Sequence, residues 1–233
     1  MRKLKVGMFL FPELTILDFT GPYECFVKAS CFEVLVIGET TDPIKAEGGL
    51  TVQPNIAMAD CPQLDILFVP GGRGINTLLT NQAVLGFLRN QAAGARYITA
   101  VCTGSLVLAA AGLLQGYKAT THWRSLDLLE MFGVETVTER IVRDRNRITG
   151  GGITAGIDFG LSLIALIGGA EMAKTIQLQL EYAPAPPFNA GSPKTAGIPV
   201  LQKVKEDTRF MKETRTKIIR QLLQDQASSL PLS

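Results

Sequence analysis

One cysteine stands between two apolar runs in "YITAVCTGSLVLAAAG". The run Tyr97–Val101 predicts a buried strand, and the run after Cys102 predicts a helix. Ligands of parallel sheets bind beyond the carboxyl ends of the strands, and a helix N-terminus favours a thiolate, so the pKa of this thiol should lie below about 8.5. Ala100 and Gly104 are small, as a tight nucleophile elbow requires. Cys102 is a candidate nucleophile, and the alternative is a buried structural cysteine.

An acid with a possible catalytic role lies in "ELTILDFTGPYE". Asp18 follows the predicted first strand and precedes a predicted helix start at Gly21–Pro22. If its apolar neighbours enclose it, desolvation raises its pKa and keeps it protonated near neutral pH. A protonated carboxyl donates a hydrogen bond to a thiolate and later delivers a proton. The alternative is a helix N-cap or a local turn.

Three further segments offer weaker candidates. In "PGGRG", the backbone N–H of Gly72 is a candidate oxyanion donor, although the segment also fits a plain turn and lacks the lysine of a phosphate loop. His122 in "TTHWRS" is either a partner of the cysteine or a structural histidine. The glycines of Gly150–Gly152 either permit a sharp turn or bring Ile153 and Thr154 close to a ligand.

The elements that would position these residues alternate along the chain. Such alternation, with fully apolar strands, predicts an α/β fold whose mostly parallel sheet is flanked by helices. The predicted strands are Val6–Phe11, Glu33–Ile37, Ile66–Val69, Tyr97–Val101 and Arg140–Asp144. The predicted helices are Gly21–Ala29, Gln82–Ala93, Ser105–Ala111, Ser125–Phe132 and Ala155–Ile167. The stretch "IKAEGGLTVQPN" predicts a peripheral hairpin, and "RIVRDRNRITGGG" predicts a strand pair near an edge.

The chain divides into one α/β domain and a C-terminal extension. Residues 1–198 show no repeat and no linker before Leu180, and "EYAPAPPFNAGSP" predicts an extended, irregular segment. Residues 199–233 carry a charged amphipathic pattern up to about Ala227. We expect this extension to form a helix that packs on the same domain or on a dimer partner.

Composition narrows the function classes. The net charge of +2, from 23 basic and 21 acidic residues, argues against a nucleic-acid binder. No uninterrupted apolar run approaches about 18 residues, so no membrane span is expected, and the short basic start does not fit a signal peptide. Four cysteines without metal-type or redox-type spacing and a single histidine favour the cytoplasm and no zinc.

Five stretches together resemble the ThiJ/PfpI superfamily, and most of all its isocyanide hydratase branch. They are "FPELTILDFTGPYE", "LFVPGGRG", "ITAVCTGSLVLAAAGLLQGYKATTHW", "ITGGGITAGIDFGL" and "QLQLEYAPAPPFNAGSP". The similarity runs from the first strand to about Pro193. It implies a flavodoxin-like sandwich and a homodimer. The cysteine corner and "ATTHW" also occur in ligand-sensing domains of related transcription regulators, whereas the last stretch is more specific to the hydratases.

The resemblance also implies roles for individual residues. Cys102 matches the nucleophile, Asp18 the acidic partner, Thr103 a polar neighbour and Gly72 a backbone donor facing the sulfur. The implied reaction adds water to an organic isocyanide through a cysteine thioimidate, giving an N-substituted formamide without a metal or cofactor. Thr103 stands where the peptidase branch has histidine, which argues against peptidase activity. The alternatives are a glyoxalase or deglycase on the same scaffold, and a non-catalytic ligand-sensing or redox-sensing protein.

Overall fold

A single mostly parallel sheet forms the centre of the computed structural model, which describes residues 2–228. The strands are β1 (Leu4–Phe9), β2 (Phe32–Gly38), β3 (Ile44–Lys45), β4 (Thr51–Val52), β5 (Ile56–Ala57), β6 (Ile66–Val69), β7 (Tyr97–Val101), β8 (Lys118–Ala119), β9 (Glu135–Thr136), β10 (Ile141–Asp144) and β11 (Arg147–Gly150). Seven of them pair in the order β10-β11-β7-β6-β1-β2-β5, and β10–β11 is the antiparallel pair. The parallel strands β2-β1-β6-β7-β11 follow the flavodoxin order 2-1-3-4-5.

Helices flank this sheet in two groups. They are α1 (Ile16–Lys28), α2 (Ile75–Leu78), α3 (Gln82–Gly94), α4 (Gly104–Ala110), α5 (Leu126–Glu130), α6 (Ala155–Gly168), α7 (Ala170–Gln179), α8 (Ile198–Asp207) and α9 (Arg209–Ser228). Helix α1 packs on α6 and α6 on α7, whereas α4 packs on α2, α3 and α5. All residues of β6 and β7 are buried, as strands covered on both faces must be. The predicted fold class is confirmed.

The peripheral strand predictions are also confirmed. The hairpin predicted in "IKAEGGLTVQPN" is β3–β4, paired antiparallel with Ile44 opposite Val52. The predicted edge pair is β10–β11, in which β11 also joins β7 in parallel. This pairing places the end of β11 beside the end of β7, and therefore places the glycines after β11 beside Cys102.

Two helical predictions need correction, and one further helix has no counterpart in the sequence analysis. Helix α1 begins at Ile16, not at Gly21–Pro22, because Pro22 lies inside the helix; the proline pattern was interpreted as a first-turn signal. Asp18 consequently belongs to the first turn of α1. Helix α7 was not predicted. The C-terminal pattern forms two helices, α8 and α9, which meet at Thr208, instead of one.

The C-terminal helices contact the body of the same chain. Ile219 and Leu222 of α9 are buried, and Lys212 forms an ion pair with Asp127 at 2.6 Å. The segment 182–197 between α7 and α8 has no helix or strand, as "EYAPAPPFNAGSP" predicted. Among residues 2–228, no helix combines the length and apolar character that a bilayer crossing requires. Residues 229–233 of the predicted extension lie outside the described residues.

Candidate active site

Cys102 occupies a strained corner between β7 and α4. Its φ of 52° lies in the left-handed region, which a residue other than glycine adopts only where the surroundings enforce it. Its N–H donates to the carbonyls of Gly150 and Gly151 at 3.0 and 2.9 Å, and its carbonyl accepts from Thr121 Oγ1 at 2.7 Å. The loop after β11 therefore holds the backbone of the corner.

A small residue at position 104 is a requirement of this corner. A Cβ on Gly104 would lie 2.2 Å from the carbonyl oxygen of Val69, so the start of α4 can approach β6 only as glycine. Ala100 is fully buried two residues before the cysteine. The nucleophile-elbow geometry expected from the sequence is present.

Asp18 is fully buried near the cysteine. Among the described residues, neither carboxyl oxygen accepts a hydrogen bond of ordinary geometry. Desolvation raises its pKa from 3.8 to about 7, and the nearby Cys102 thiol and Gly71 N–H oppose that rise to a smaller extent. Gly71 makes the close approach possible, because a Cβ there would lie 2.8 Å from Asp18 Oδ2 and 2.6 Å from Thr103 N.

The sulfur of Cys102 is also buried, and some of the surrounding groups raise the pKa of its thiol while others lower it. Burial, followed by the negative charge of Asp18, raises the pKa of the thiol well above its ordinary value. The N–H groups of Thr103 and Ile153 point at the sulfur and lower that pKa. The sequence argument expected a lowered pKa from the helix N-terminus, whereas desolvation dominates in the structure. Cys102 and Asp18 therefore form a coupled pair, whose protons dissociate in steps that belong to the pair and not to either residue alone.

Gly72 has a different hydrogen bond from the one that the resemblance implied. Its N–H donates to Thr103 Oγ1 at 3.1 Å instead of facing the sulfur. A Cβ on Gly72 would lie 2.5 Å from Thr15 N, so this segment is tightly enclosed. Gly72 thus supports Thr103, and the N–H of Ile153 takes the position at the sulfur.

Residues that follow β11 line two adjacent pockets, the cavity over the sulfur and a neighbouring hollow. Ile153 is partly exposed and lines both the cavity over the sulfur and the neighbouring hollow. Thr154 lies in the neighbouring hollow, where Arg140 Nη2 donates to its hydroxyl at 3.4 Å, so it is not brought into the same cavity. His122 lines both, but its Nδ1 accepts from Arg124 N at 3.2 Å, and burial lowers its pKa.

A cavity of about 130 Å³ opens over Cys102. Besides the predicted Gly72, Cys102, Thr103 and Ile153, its walls include residues that the sequence analysis did not identify, namely Thr15, Glu47, Arg73, Met211, Lys212 and Arg215. The last three come from α9. A sequence signal for one of them exists: Arg215 lies between Met211 and Ile219 on the helical spacing of the apolar face, where a charge is unusual.

Within the described residues, no group of three or more His, Cys, Asp or Glu side chains is placed to hold a metal ion. The chemistry that the cavity offers is that of a nucleophilic sulfur, a carboxyl group and backbone N–H donors.

Known proteins resemble this chain in sequence and in fold. Residues 4–166 match the DJ-1/PfpI family. Isonitrile hydratase of Pseudomonas putida is 48% identical over 92% of this chain and 94% of its own. A crystal structure of a THiJ/PfpI family protein from Pseudomonas syringae has a TM-score of 0.91 and 40% identity, covering 94% of this chain and 91% of that one. The regulator GbdR of Pseudomonas aeruginosa is 39% identical over 59% of this chain and 38% of its own.

Proposed function

The chain belongs to the DJ-1/PfpI family, and we propose that it is an isocyanide hydratase, a hydro-lyase with Cys102 as its nucleophile. The proposal rests on one observation above all. A buried thiol in a strained elbow lies beside a buried carboxyl group with a pKa of about 7, so that proton exchange between them is possible near neutral pH. The near full-length similarity to isonitrile hydratase supports the same substrate class.

The first step forms a covalent adduct. The Cys102–Asp18 pair enters the reaction with one proton, which the raised pKa of the thiol places on the sulfur, and this proton passes to the Asp18 carboxylate as the sulfur becomes anionic. The sulfur attacks the terminal carbon of the isocyanide and forms a C–S bond, and Asp18 delivers its proton to the same carbon. The carbon–nitrogen triple bond becomes a double bond. The product is a thioimidate on Cys102, with Asp18 left as a carboxylate.

The second step adds water. The Asp18 carboxylate takes one proton from a water molecule while the oxygen bonds to the thioimidate carbon, and Asp18 then passes that proton to the nitrogen. Asp18 next accepts the remaining hydroxyl proton as the C–S bond breaks. An N-substituted formamide leaves, and the Cys102–Asp18 pair again holds one proton. The reaction needs neither a metal nor an organic cofactor.

The neighbouring residues receive supporting roles. The N–H groups of Thr103 and Ile153 stabilise negative charge on the sulfur. Gly72 fixes the Thr103 hydroxyl, and the Ile153 side chain forms part of the wall around the substrate. Thr154 belongs to the hollow next to the cavity, so its role would be to hold Arg140 and the start of α6 rather than to touch substrate.

The remaining expectations form part of this proposal. We infer a cytoplasmic homodimer that acts on a small molecule and binds neither nucleic acid nor a membrane. We propose residues 1–198 as its α/β domain and residues 199–233 as a C-terminal extension, of which the described part contacts that domain through α9. The apolar hollow lined by Leu17, Ile157 and Leu180 supports an interface between two copies. Sedimentation of the purified protein measures the assembly state, and a monomer at micromolar concentration would contradict the dimer.

Product analysis tests the reaction directly. The purified protein is incubated with cyclohexyl isocyanide or with methylglyoxal, and N-cyclohexylformamide and lactate are measured. Formamide from the wild type and from Cys25→Ala, with none from Cys102→Ala, is the expected result. Lactate as the main product would identify a glyoxalase instead. Neither product, together with saturable binding of a small ligand, would identify a sensor like the domain shared with the regulator.

A further inference from the structure

A buried arginine from the C-terminal extension reaches the candidate active site. Arg215 lies on α9, only 4% of its surface is exposed, and it lines the cavity together with Cys102. Arginine is seldom buried to this degree unless its charge is paired, because removing a guanidinium from water is costly. Burial accordingly lowers the pKa of Arg215 to about 10. Such a position requires an explanation.

The hydrogen-bond partners of Arg215 are neutral. Its Nε donates to Asn76 Oδ1 at 2.8 Å, and its Nη2 donates to the Gly72 carbonyl at 3.3 Å. Among residues 2–228, no carboxylate lies within ion-pair distance of it, whereas the neighbouring Lys212 is paired with Asp127. The positive charge therefore lacks a contacting counter-ion in the resting protein.

Cys102 lines the same cavity as Arg215, so its sulfur, once ionised, is the candidate counter-ion. The charge of Cys102 raises the pKa of Arg215 more than that of Glu47 does. Glu47 is itself engaged, because Thr15 Oγ1 donates to it at 2.8 Å and Arg73 lies 3.7 Å away. The other titratable or charged groups that face the cavity or the sulfur are Asp18, His122, Arg124 and Lys212. An anionic sulfur would be the counter-charge for which Arg215 is placed.

Arg215 also joins the extension to the residue after the nucleophile. The Gly72 carbonyl that accepts from Arg215 lies 3.4 Å from Thr103 Oγ1, and the Gly72 N–H donates to the same hydroxyl. A displacement of Arg215 would thus move Gly72 and, through it, Thr103. The amide of Thr103 is one of the two that point at the sulfur.

We propose that Arg215 is a positioning residue of the active site, which holds a positive charge toward Cys102 and anchors Gly72, so that the anionic sulfur is favoured. As a part of the hydration reaction this role rests on the proposed function. The effect of Arg215 on the sulfur does not rest on the proposed function, because the rate at which any electrophile reacts in the cavity measures it. The C-terminal extension is then a component of the catalytic centre.

Alkylation of Cys102 by iodoacetamide tests the charge without an isocyanide. The rate is measured from pH 6 to pH 10 on the full chain, and modification at Cys102 is followed by peptide mass spectrometry. In Arg215→Gln we expect the pH profile to move up by about one unit, so that the rate at every pH below the midpoint falls about tenfold. Arg215→Lys keeps the charge and should shift the midpoint less. Arg220→Gln removes an exposed arginine of the same helix and should match the wild type.

A second variant covers the case in which Arg215→Gln does not fold. Asn76→Asp keeps Arg215 in place but supplies a carboxylate at its Nε, so the charge is neutralised and the midpoint should again rise. Arg215→Gln or Asn76→Asp that is folded and shows the wild-type profile would overturn the proposal. A shifted profile in an enzyme that forms no formamide would uphold the role of Arg215 and refute the hydratase. Formamide formation by a variant whose pH profile matches the wild type would support the hydratase and refute the role of Arg215.

Discussion

Two buried cysteines in this chain show what separates a reactive sulfur from a structural one. Cys102 and Cys25 are both almost fully buried, and burial raises the pKa of each thiol, to about 12 for Cys25. The thiol of Cys25 faces an acceptor, the Ile157 carbonyl at 3.9 Å, and the charges of Glu24 and Asp158 raise its pKa further. The sulfur of Cys102 faces the N–H groups of Thr103 and Ile153 instead.

The difference lies in the polarity of the surrounding groups, because burial is nearly the same. An acceptor keeps the proton on Cys25, whereas donors and Arg215 favour its loss from Cys102. The backbone differs as well: Cys25 lies within the regular helix α1, and Cys102 lies in the left-handed region. A cysteine in a helix interior packs two helices, while one at a strained corner presents its sulfur to a cavity.

The largest expected effect comes from removing each sulfur in turn. Cys102→Ala should abolish formamide production, a loss of at least about a thousandfold in kcat, because no other group can form the thioimidate. Cys25→Ala should keep kcat close to that of the wild type and lower stability by about 1 kcal/mol through the small cavity it leaves. Steady-state kinetics and urea unfolding measure the two quantities. Turnover by Cys102→Ala above background would show that the sulfur is not the nucleophile.

The acids near the two cysteines, Asp18 and Asp158, should differ in their importance for turnover as the two cysteines do. Asp18→Asn preserves shape but removes the transferable proton, so kcat should fall by about a hundredfold or more, the range of general acid–base catalysis. Asp158, which pairs with Arg140 and accepts from Tyr182 OH at 3.1 Å, lies near Cys25. Asp158→Asn should leave kcat nearly unchanged. Equal effects of the two substitutions would place proton transfer elsewhere.

A third pair of substitutions tests the glycines that lie against each cysteine site. A Cβ on Gly71 would press on Thr103 N and Asp18 Oδ2, so Gly71→Ala should lower kcat by up to about a hundredfold through misplacement of the acid. A Cβ on Gly160 would lie 2.9 Å from Cys25 Cβ, so Gly160→Ala should cost about 1 to 2 kcal/mol of stability by overpacking α1 against α6. A loss of kcat in Gly160→Ala exceeding that in Gly71→Ala would contradict the division between the two sites.

The sequence predicted the sheet and the elbow because each depends on local pattern, whereas the pairing of Cys102 with Asp18 was implied by the family resemblance. Apolar runs define buried strands, and parallel strands bring their carboxyl ends to one edge. It did not predict Arg215, because its placement depends on how α9 folds back over the body, which no local pattern specifies. The resemblance implied Gly72 as the donor at the sulfur, whereas the N–H of Gly72 donates to Thr103 Oγ1 and the N–H groups of Thr103 and Ile153 lower the pKa of Cys102.

The start of α1 was missed for a related reason. Proline is common in the first turn of a helix, so the sequence places the helix start at Pro22. In the structure Pro22 lies inside α1, which packs on α6. The packing is close at this point, because a Cβ on Gly156 would lie 2.9 Å from Pro22 Cδ. The sequence argument for a raised pKa of Asp18 agrees with its burial nevertheless, because it required only an apolar enclosure.

The last prediction concerns the pH dependence of stability, and its sign follows from the pKa of Asp18. With a pKa of about 7 in the folded protein against an ordinary 3.8, Asp18 keeps a proton in the folded state that the unfolded chain has already released. The free energy of unfolding must therefore fall as the pH rises from about 4 to about 7. Above that window the full penalty applies, on the order of 4 kcal/mol if nothing compensates.

Asp18→Asn removes this titration while leaving a buried polar group, so its gain in stability should be smaller than the full penalty, about 1 to 3 kcal/mol. The gain should be present at pH 8.5 and absent, or reversed, at pH 4.5. Urea unfolding of the wild type and the variant at both pH values measures it. A difference that does not depend on pH would mean that Asp18 titrates near its ordinary value, and the proton that the hydration mechanism draws from it would then be missing at neutral pH. The variant that loses most activity after Cys102→Ala is thus expected to be the more stable protein in alkaline solution, as is typical where a catalytic group is held in an unfavourable environment.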